Sequence, residues 1–407
     1  MIRNNIAIVT SGYFPVPATR GGAVEALVEN LINVNETSGK AKLYIFSVFD
    51  RQAEEIAKKY SNTNVVFVKT PSLIKLFDKM IFFIAKNVLR KEKSFSYRYI
   101  CQRLWFIHEV GKNLKDNNYD RVVLENHSSL FMTLRLHKNY EKYSGKYFYH
   151  LHNVVTSSYG CEKIIRKTKS VLGVSDYINQ TLKEFLGETS IEYKVLRNKI
   201  DSNRFRIELN VQQSNEIREK YDIKAGQQIV LFTGRFSPEK GIRELLTAFK
   251  KVKSKNAILL VVGGYYFGSG MISSFEIEMK ELVEKLAEKI KFAGFIDYKK
   301  IPEFYAIADI VVIPSVWDDP APLTVIESLS AGKALITTYS GGIPEYANKN
   351  VAIMLKKEEL ETMLAPMIDE LLMNKRKREQ MSKRALELTK NWNIEAYYTD
   401  FMNAVID

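Results

Sequence analysis

The sequence predicts an α/β protein of two doubly wound domains, and three observations carry the prediction. The chain has 407 residues, too many for a single core and suited to two. Short runs of Val, Ile, Leu and Phe recur along it with little polar alternation, as in strands buried on both faces. Longer amphipathic stretches separate these runs, which is the pattern of parallel sheets built from βαβ units. A composition of 46% hydrophobic and 26% charged residues is that of a globular chain and excludes a disordered one.

In the first half the strand candidates are NIAIVTS, KLYIFSVF, NVVFVK, RVVLEN and KYFYHLHN. In the second they are QIVLFTGR, AILLVVGG, IKFAGFI, ADIVVIPS and ALITTYS. The break falls near KVLRNKIDSNRFRIE, where a polar stretch leads into the second set. The reading is therefore a first Rossmann-like domain over 1–198, a second over 199–385, and a final helix over 386–407 that crosses back to the first. Trp392, Tyr397, Tyr398 and Phe401 are the residues expected to pack there, with closure across a cleft between the domains excluding water.

Two cysteines, Cys101 and Cys161, exclude a disulfide framework and point to a reducing compartment. No apolar run approaches the length of a bilayer span, and the N-terminus reads as a first strand and not as a signal peptide. A soluble, cytoplasmic protein is expected. Its charge is uneven: residues 1–198 hold 30 Lys and Arg against 18 Asp and Glu, whereas the remainder holds 30 against 29. A basic first half fits phosphorylated substrates, anionic lipid or nucleic acid. No recognised nucleic-acid module accompanies it, so nucleic acid is not expected as a partner.

Ligands of doubly wound folds bind at the carboxyl ends of the strands, and the informative residues follow the strand candidates. Gly21 and Gly22 precede a helix after the first strand; glycine permits close backbone approach, and a helix N-terminus offers unpaired N–H groups to an anion. In GRFSPEKG, Gly234 ends a strand, Arg235 and Lys240 flank the loop, and Gly241 opens a helix. Two such cations suit a diphosphate, Arg gripping two oxygens and Lys acting as a compact charge. In PSVWDDPAPLTVIESLSAG, Asp319 stands eight positions before Glu327, and carboxylates are strong acceptors for sugar hydroxyls. GGIPE, at Gly341–Glu345, supplies a second turn close behind, and the two are read as walls of one pocket. His152 in YHLHN and His127 in LENHSS end two first-half strands and are candidates for the reaction centre. Asp318 and Asp319 lack a third nearby ligand, and His150 with His152 cannot alone make a zinc site, so no metal is expected.

Taken together, the Gly-Gly-Ala loop at 21–23, GRFSPEKG, VVGG, FAGFI, ADIVVIPS, DDPAPLTVIES and GGIPE resemble glycosyltransferase family 4, retaining enzymes of the two-Rossmann-domain B-type fold. The resemblance spans nearly the whole chain. It implies a retaining, metal-independent hexosyltransferase that takes a nucleoside-diphosphate sugar, a UDP-sugar by the family's habit. No cofactor is implied beyond that donor, and the acceptor is a glycan or lipid-linked glycan in polysaccharide or lipopolysaccharide synthesis. Residue by residue it implies Arg235 and Lys240 on the pyrophosphate, with Gly21, Gly22 and Gly234 beside it. Glu327 would hold the ribose, and the backbone near Ile296 would read the base. Asp319 would contact the transferred sugar, with the backbone of Ala321, Leu323 and Thr324 assisting, and His152 would be the histidine of the reaction centre. The chain departs from the family at Asp319, where Glu is usual, and at Ala321-Pro322, where Phe-Gly is common; Pro322 has no N–H to offer.

The implied route is front-face: negative charge grows on the departing diphosphate, Arg235 and Lys240 stabilise it, and the phosphate helps to deprotonate the acceptor. A relative that binds the donor without turnover is the alternative reading. Residues 73–105 carry 8 Lys and Arg against 2 Asp and Glu among Phe, Ile, Leu and Tyr. Such a segment either lies in a membrane interface, attracted to anionic lipid on the inner face of the cell membrane, or packs its apolar stripe on the sheet.

Overall fold

The computed structural model of the protein describes residues 3–89, 98–264, 274–284 and 288–406. It divides into two compact units, Met1–Arg197 with Tyr397–Asp407, and Asn198–Ala396. Each unit is a parallel sheet with helices between successive strands, so the predicted pair of doubly wound domains is observed.

The first unit contains β1 (Asn4–Val9), β2 (Ala41–Val48), β3 (Thr63–Val68), β4 (Arg121–Glu125), β5 (Tyr147–Leu151), β6 (Ser170–Gly173) and β7 (Glu192–Val195). Their spatial order is β3-β2-β1-β4-β5-β6-β7. Ile6 to Val9 and Val122 to Leu124 are fully buried, which is why these runs read as unbroken apolar stretches. The order reverses between β1 and β4, the kind of position at which doubly wound sheets take their ligands. The helix Ala23–Ser38 returns from β1 and ends at Gly39 in the left-handed conformation, whose N–H bonds Asn35 O.

The second unit repeats the winding with β8 (Gln228–Thr233), β9 (Ala257–Val262), β10 (Ile290–Gly294), β11 (Ile310–Ile313), β12 (Ala334–Thr338) and β13 (Ala352–Leu355), in the order β10-β9-β8-β11-β12-β13. Its reversal point lies between β8 and β11. The sequence reading lacks β6, β7 and β13, which have four residues each; β11 is as short but is marked by the longer run ADIVVIPS.

The last helix, Ile394–Ile406, buries Tyr397, Tyr398, Phe401, Met402 and Val405 in the first unit's core, beside Ile6, Ile8 and Leu27. Arg121 donates to the carbonyls of Val405 and Ile406 at 2.8 and 3.1 Å, satisfying acceptors that the helix end leaves open. Trp392 does not join this cluster. It packs edge-on against Tyr346 at 6.0 Å in the second unit, because the chain enters the first unit only from Tyr397 onward.

Residues 90–97 of the basic 73–105 segment lie outside the described residues. In the helix Ser72–Phe83 the buried residue is Asp78, whose carboxylate accepts from the N–H groups of Cys101 and Gln102 at 2.7 and 3.0 Å and so starts the helix Ile100–Asp116. Leu73, Leu76, Phe77, Met80 and Phe83 are exposed. The apolar stripe therefore does not pack on the sheet. No described helix is long and apolar enough to cross a membrane.

Candidate functional site

In the second unit three loops at strand ends are tied to one another. The loop after β8 presents the carbonyl of Glu239, which accepts from the N–H groups of Val316 and Trp317 at 3.1 and 3.2 Å in the loop after β11. Gly241 makes this approach feasible: at φ 69°, a Cβ there would lie 1.8 Å from Pro314 O. The turn after β12 then closes on the acidic loop. Gly341 N–H bonds Asp318 Oδ1 at 3.0 Å, and Gly342 N–H bonds Asp319 O at 2.9 Å. A Cβ at Gly341, φ 52°, would meet the Asp319 carbonyl oxygen at 2.6 Å. Only glycine fits at that approach.

Within this frame Lys240 Nζ pairs with Asp319 Oδ2, and both side chains are largely shielded from solvent. Asp318 pairs with Lys357 at 2.7 Å. Arg235 is exposed in the same β8 loop. With Lys240 it contributes to holding the Glu239 carboxyl below its usual range, the first cause being a hydrogen bond with Ser237. Gly234 directly follows β8, and Ile296, Ala321 and Leu323 are partly buried against the second unit's core. Thr324 turns its carbonyl toward Ser328 Oγ at 2.6 Å. Pro322 precedes the helix Leu323–Ser330 without a side-chain cap, leaving the first amides of that helix unspent on protein partners of this kind.

Glu327 lies deeper than a surface carboxylate. It is buried, and Tyr305 Oη donates to its Oε2 at 2.9 Å. Tyr305 also meets Thr233 Oγ1, at the end of β8, at 2.8 Å. Burial pushes the Glu327 carboxyl up to about 7, against hydrogen bonds from Tyr305 and Tyr298 and the charge of Arg204. These partners are absent from the sequence reading. A tyrosine within an apolar helix carries no signal distinguishing a core ring from a hydrogen-bond donor.

The remaining candidates lie in the first unit. Gly22 precedes the helix Ala23–Ser38 at φ 106° with no side-chain cap, and Gly21 N–H bonds Ala18 O at 3.0 Å. A Cβ at Gly22 would fall 2.2 Å from Glu25 Oε2. Glu25 is itself buried, accepts from Ser11 Oγ at 2.7 Å and is raised by that burial.

His152 belongs to a buried trio with Glu125 and His150. Glu125 Oε2 lies 3.0 Å from His150 Nδ1 and 3.2 Å from His152 Nε2. Burial opposes the Glu125 charge, but the two imidazoles outweigh it and hold the carboxyl down at about 2. Burial and the neighbouring His150 keep His152 low, at about 4. A neutral His152 facing a carboxylate must donate from Nε2, which leaves the lone pair on Nδ1. Among the described residues this trio is also a group whose donor atoms suit a divalent ion, lying within 4.8 Å of one another. Their separations are those of direct hydrogen bonds, with the carboxylate between the rings. Glu125 was within reach of sequence reasoning as the polar end of a buried strand.

Residues 213–388 match the family model for Glycosyl transferases group 1. Spore coat protein SA of Bacillus subtilis (strain 168) is 24% identical over 384 residues, 93% of this chain and 92% of that protein. Lipopolysaccharide 1,2-N-acetylglucosaminetransferase of Salmonella typhimurium is 30% identical over 135 residues, 32% of this chain and 35% of that protein. Among solved structures, Anabaena HepE in complex with UDP superposes with a TM-score of 0.73 at 16% identity, covering 99% of both chains. The family match over the second unit and the shared two-domain architecture together support a glycosyltransferase of the B-type fold.

Proposed function

We propose that the chain transfers a hexose-type sugar, with retention and without a metal ion, from a UDP-sugar to a glycan or lipid-linked glycan in cell-surface polysaccharide or lipopolysaccharide synthesis. One observation carries this reading. At the strand ends of β8, β11 and β12, Lys240, Asp319 and the Gly341-Gly342 turn converge, inside the segment that matches the glycosyl transferase family. The HepE neighbour was solved with UDP and with UDP-glucose.

In this reading the diphosphate lies against Arg235, Lys240 and the uncapped start of the helix Leu323–Ser330. As the glycosidic bond breaks, charge builds on the leaving phosphate and these groups bind it more strongly than in the ground state. Their fixed positive charge does the work a divalent ion would otherwise do. Glu327 holds the ribose hydroxyls, and its raised position makes donor affinity rise as the carboxyl ionises. Asp319, positioned by Lys240 and Gly342, takes hydroxyls of the transferred sugar. His152 offers the Nδ1 lone pair as an acceptor in the first unit. The exposed apolar face of Ser72–Phe83, with Lys75 and Lys79 on the same helix, seats the protein on the anionic inner face of the cell membrane.

The test is calorimetry of UDP, GDP, ADP and TDP against the wild type and Arg235→Ala, with EDTA present. Selective UDP binding, lost in the variant and indifferent to EDTA, is the expected result. Absence of nucleotide binding overturns the reading, and EDTA sensitivity overturns its metal independence. An inverted anomer in the transfer product removes retention.

A further inference from the structure

The first unit has a reversal point of its own, between β1 and β4, and the donor reading above gives no role to the aromatic rings in the loops around it. Tyr13 follows β1, His127 follows β4 and Tyr159 follows β5. Each of these loops holds a left-handed residue at or beside its ring: Gly12 at φ 74°, Asn126 at φ 65° and Tyr159 itself at φ 50°. For Asn and above all Tyr this conformation costs folding energy, and such strain concentrates at loops that handle ligands.

The rings meet. His127 lies 5.9 Å from Tyr13 and 5.6 Å from Tyr159 between ring centroids, at interplanar angles of 65° and 39°. The three form a corner and not a flat stack. Tyr13 and Tyr159 remain 48% and 46% exposed, although a hydrophobic ring held in a strained loop gains nothing for the fold by facing water.

What lies beneath fixes the chemistry of the corner. Arg103 is buried, and its Nε and Nη2 donate to Ser129 Oγ at 3.3 and 2.9 Å. Its guanidinium sits 4.7 Å from the Tyr13 ring centroid, and its Nη1 is buried with no hydrogen-bond partner. Having accepted from Arg103, the Ser129 hydroxyl has one proton to give, and His127 Nδ1 lies 2.8 Å away. The Ser129 N–H approaches the same nitrogen at 3.3 Å. Both contacts require Nδ1 to be the acceptor, so the ring proton resides on Nε2. Burial and the Arg103 charge push His127 down to about 4, and the ring stays neutral. His127 is thus a fixed N–H donor set between two exposed aromatic faces.

We propose that Tyr13, His127 and Tyr159 form an acceptor-side subsite for a neutral hexopyranose ring. A pyranose has an apolar C–H face that rests on an aromatic ring and an equatorial hydroxyl that accepts from a neutral donor. This subsite rests on the transferase reading and deepens it, by assigning the acceptor class to a sugar ring read by contact and not by charge. Arg103 and Ser129 are positioning residues, acting through His127.

Saturation-transfer NMR on the full chain with UDP present tests it, using the methyl glycosides of glucose, galactose, mannose and N-acetylglucosamine as probes. At least one glycoside takes saturation, strongest on the protons of one ring face. Tyr13→Ala and Tyr159→Asn, the latter chosen because Asn accepts the left-handed backbone, each weaken that binding by about tenfold. His127→Phe, which keeps a ring but loses the donor, weakens it likewise, whereas His127→Gln restores part of it. UDP calorimetry is unchanged in every variant. If no glycoside binds the wild type, or Tyr13→Ala binds as the wild type does, the subsite is overturned while the donor reading stands. If UDP fails to bind but the glycoside response still depends on Tyr13, the donor reading falls and the subsite survives. Should Tyr159→Asn not fold, Tyr13→Ala and His127→Phe decide alone.

Discussion

Glu125 at the end of β4 and Glu327 in the helix Leu323–Ser330 are both buried, and both are engaged by side chains of neighbouring elements. His150 and His152 meet Glu125; Tyr305 and Tyr298 meet Glu327. Burial pushes each carboxyl up, yet Glu125 ends at about 2 and Glu327 at about 7. The difference lies in what the partners offer the carboxylate. Two imidazole rings converge on Glu125, and what they offer its carboxylate, by electrostatic attraction and by hydrogen bonding, exceeds the desolvation that burial imposes. A phenol only donates a hydrogen bond, which offsets part of the desolvation and leaves the rest. Depth alone therefore says nothing about the charge of a buried acid.

The largest effect should come from removing the carboxylate between the imidazoles. Glu125→Ala leaves two buried rings without their acceptor and should cost the first unit about 3–5 kcal/mol, read from amide exchange of β4 and β5. A loss below ~1 kcal/mol would show that the buried rings do not depend on the carboxylate as their hydrogen-bond partner. Glu327→Gln, by contrast, removes a charge that its surroundings oppose. It should leave the second unit's stability near the wild-type value at neutral pH.

The comparison sharpens along the pH axis, where the two units should respond with opposite sign. Glu327 rises from 4.5 to about 7 on folding, so between these values the folded state binds more protons than the unfolded one. The second unit thus loses stability as pH rises through that window, by ~3 kcal/mol in all. His152 falls from 6.5 to about 4 and Glu125 from 4.5 to about 2. Their contributions are complete above the unfolded values and are lost as pH falls through the folded ones. Lowering the pH from 7.5 to 5 should loosen β5 amides while tightening those of the helix Leu323–Ser330, after correction for intrinsic exchange. Glu327→Gln should abolish the second trend and spare the first; parallel trends in both units would sink the assignment.

How much of this was legible in the sequence depends on whether the partners lie near in the chain. Lys240, Asp319 and Gly341 stand directly after apolar runs, so strand ends and turn chemistry brought them to notice. His150 and His152, two apart on a strand, share one side by the period of the pleat. That Glu125 faces them follows only from the pairing of β4 with β5, which sets Glu125 opposite His150. Tyr298 and Tyr305 reach Glu327 from the segment that follows β10, and no local pattern marks a ring whose hydroxyl does the work. Trp392 was misplaced for a related reason: an aromatic near a crossing helix says nothing about which core it enters. The exposed face of Ser72–Phe83 was equally hidden, since an apolar stripe reads the same whether it meets a sheet or solvent.

The smallest effect should separate the two phenols that hold Glu327. Tyr305 is fully buried, and its hydroxyl is shared with Thr233. Tyr305→Phe therefore removes a donor that water does not replace, at a cost of about 1 kcal/mol. With one less hydrogen bond on the charged form, the Glu327 carboxyl should move further up. The midpoint of the pH dependence of UDP affinity, followed by calorimetry, should then rise above about 7. Tyr298 also bonds Glu327, but its hydrogen bond lowers the carboxyl less than that of Tyr305 does, so in Tyr298→Phe the midpoint should move less. An equal shift in both variants would mean that the pair act through packing and not through their hydroxyls. A midpoint unmoved by either would mean that desolvation alone sets Glu327, and that its contrast with Glu125 owes everything to the histidines.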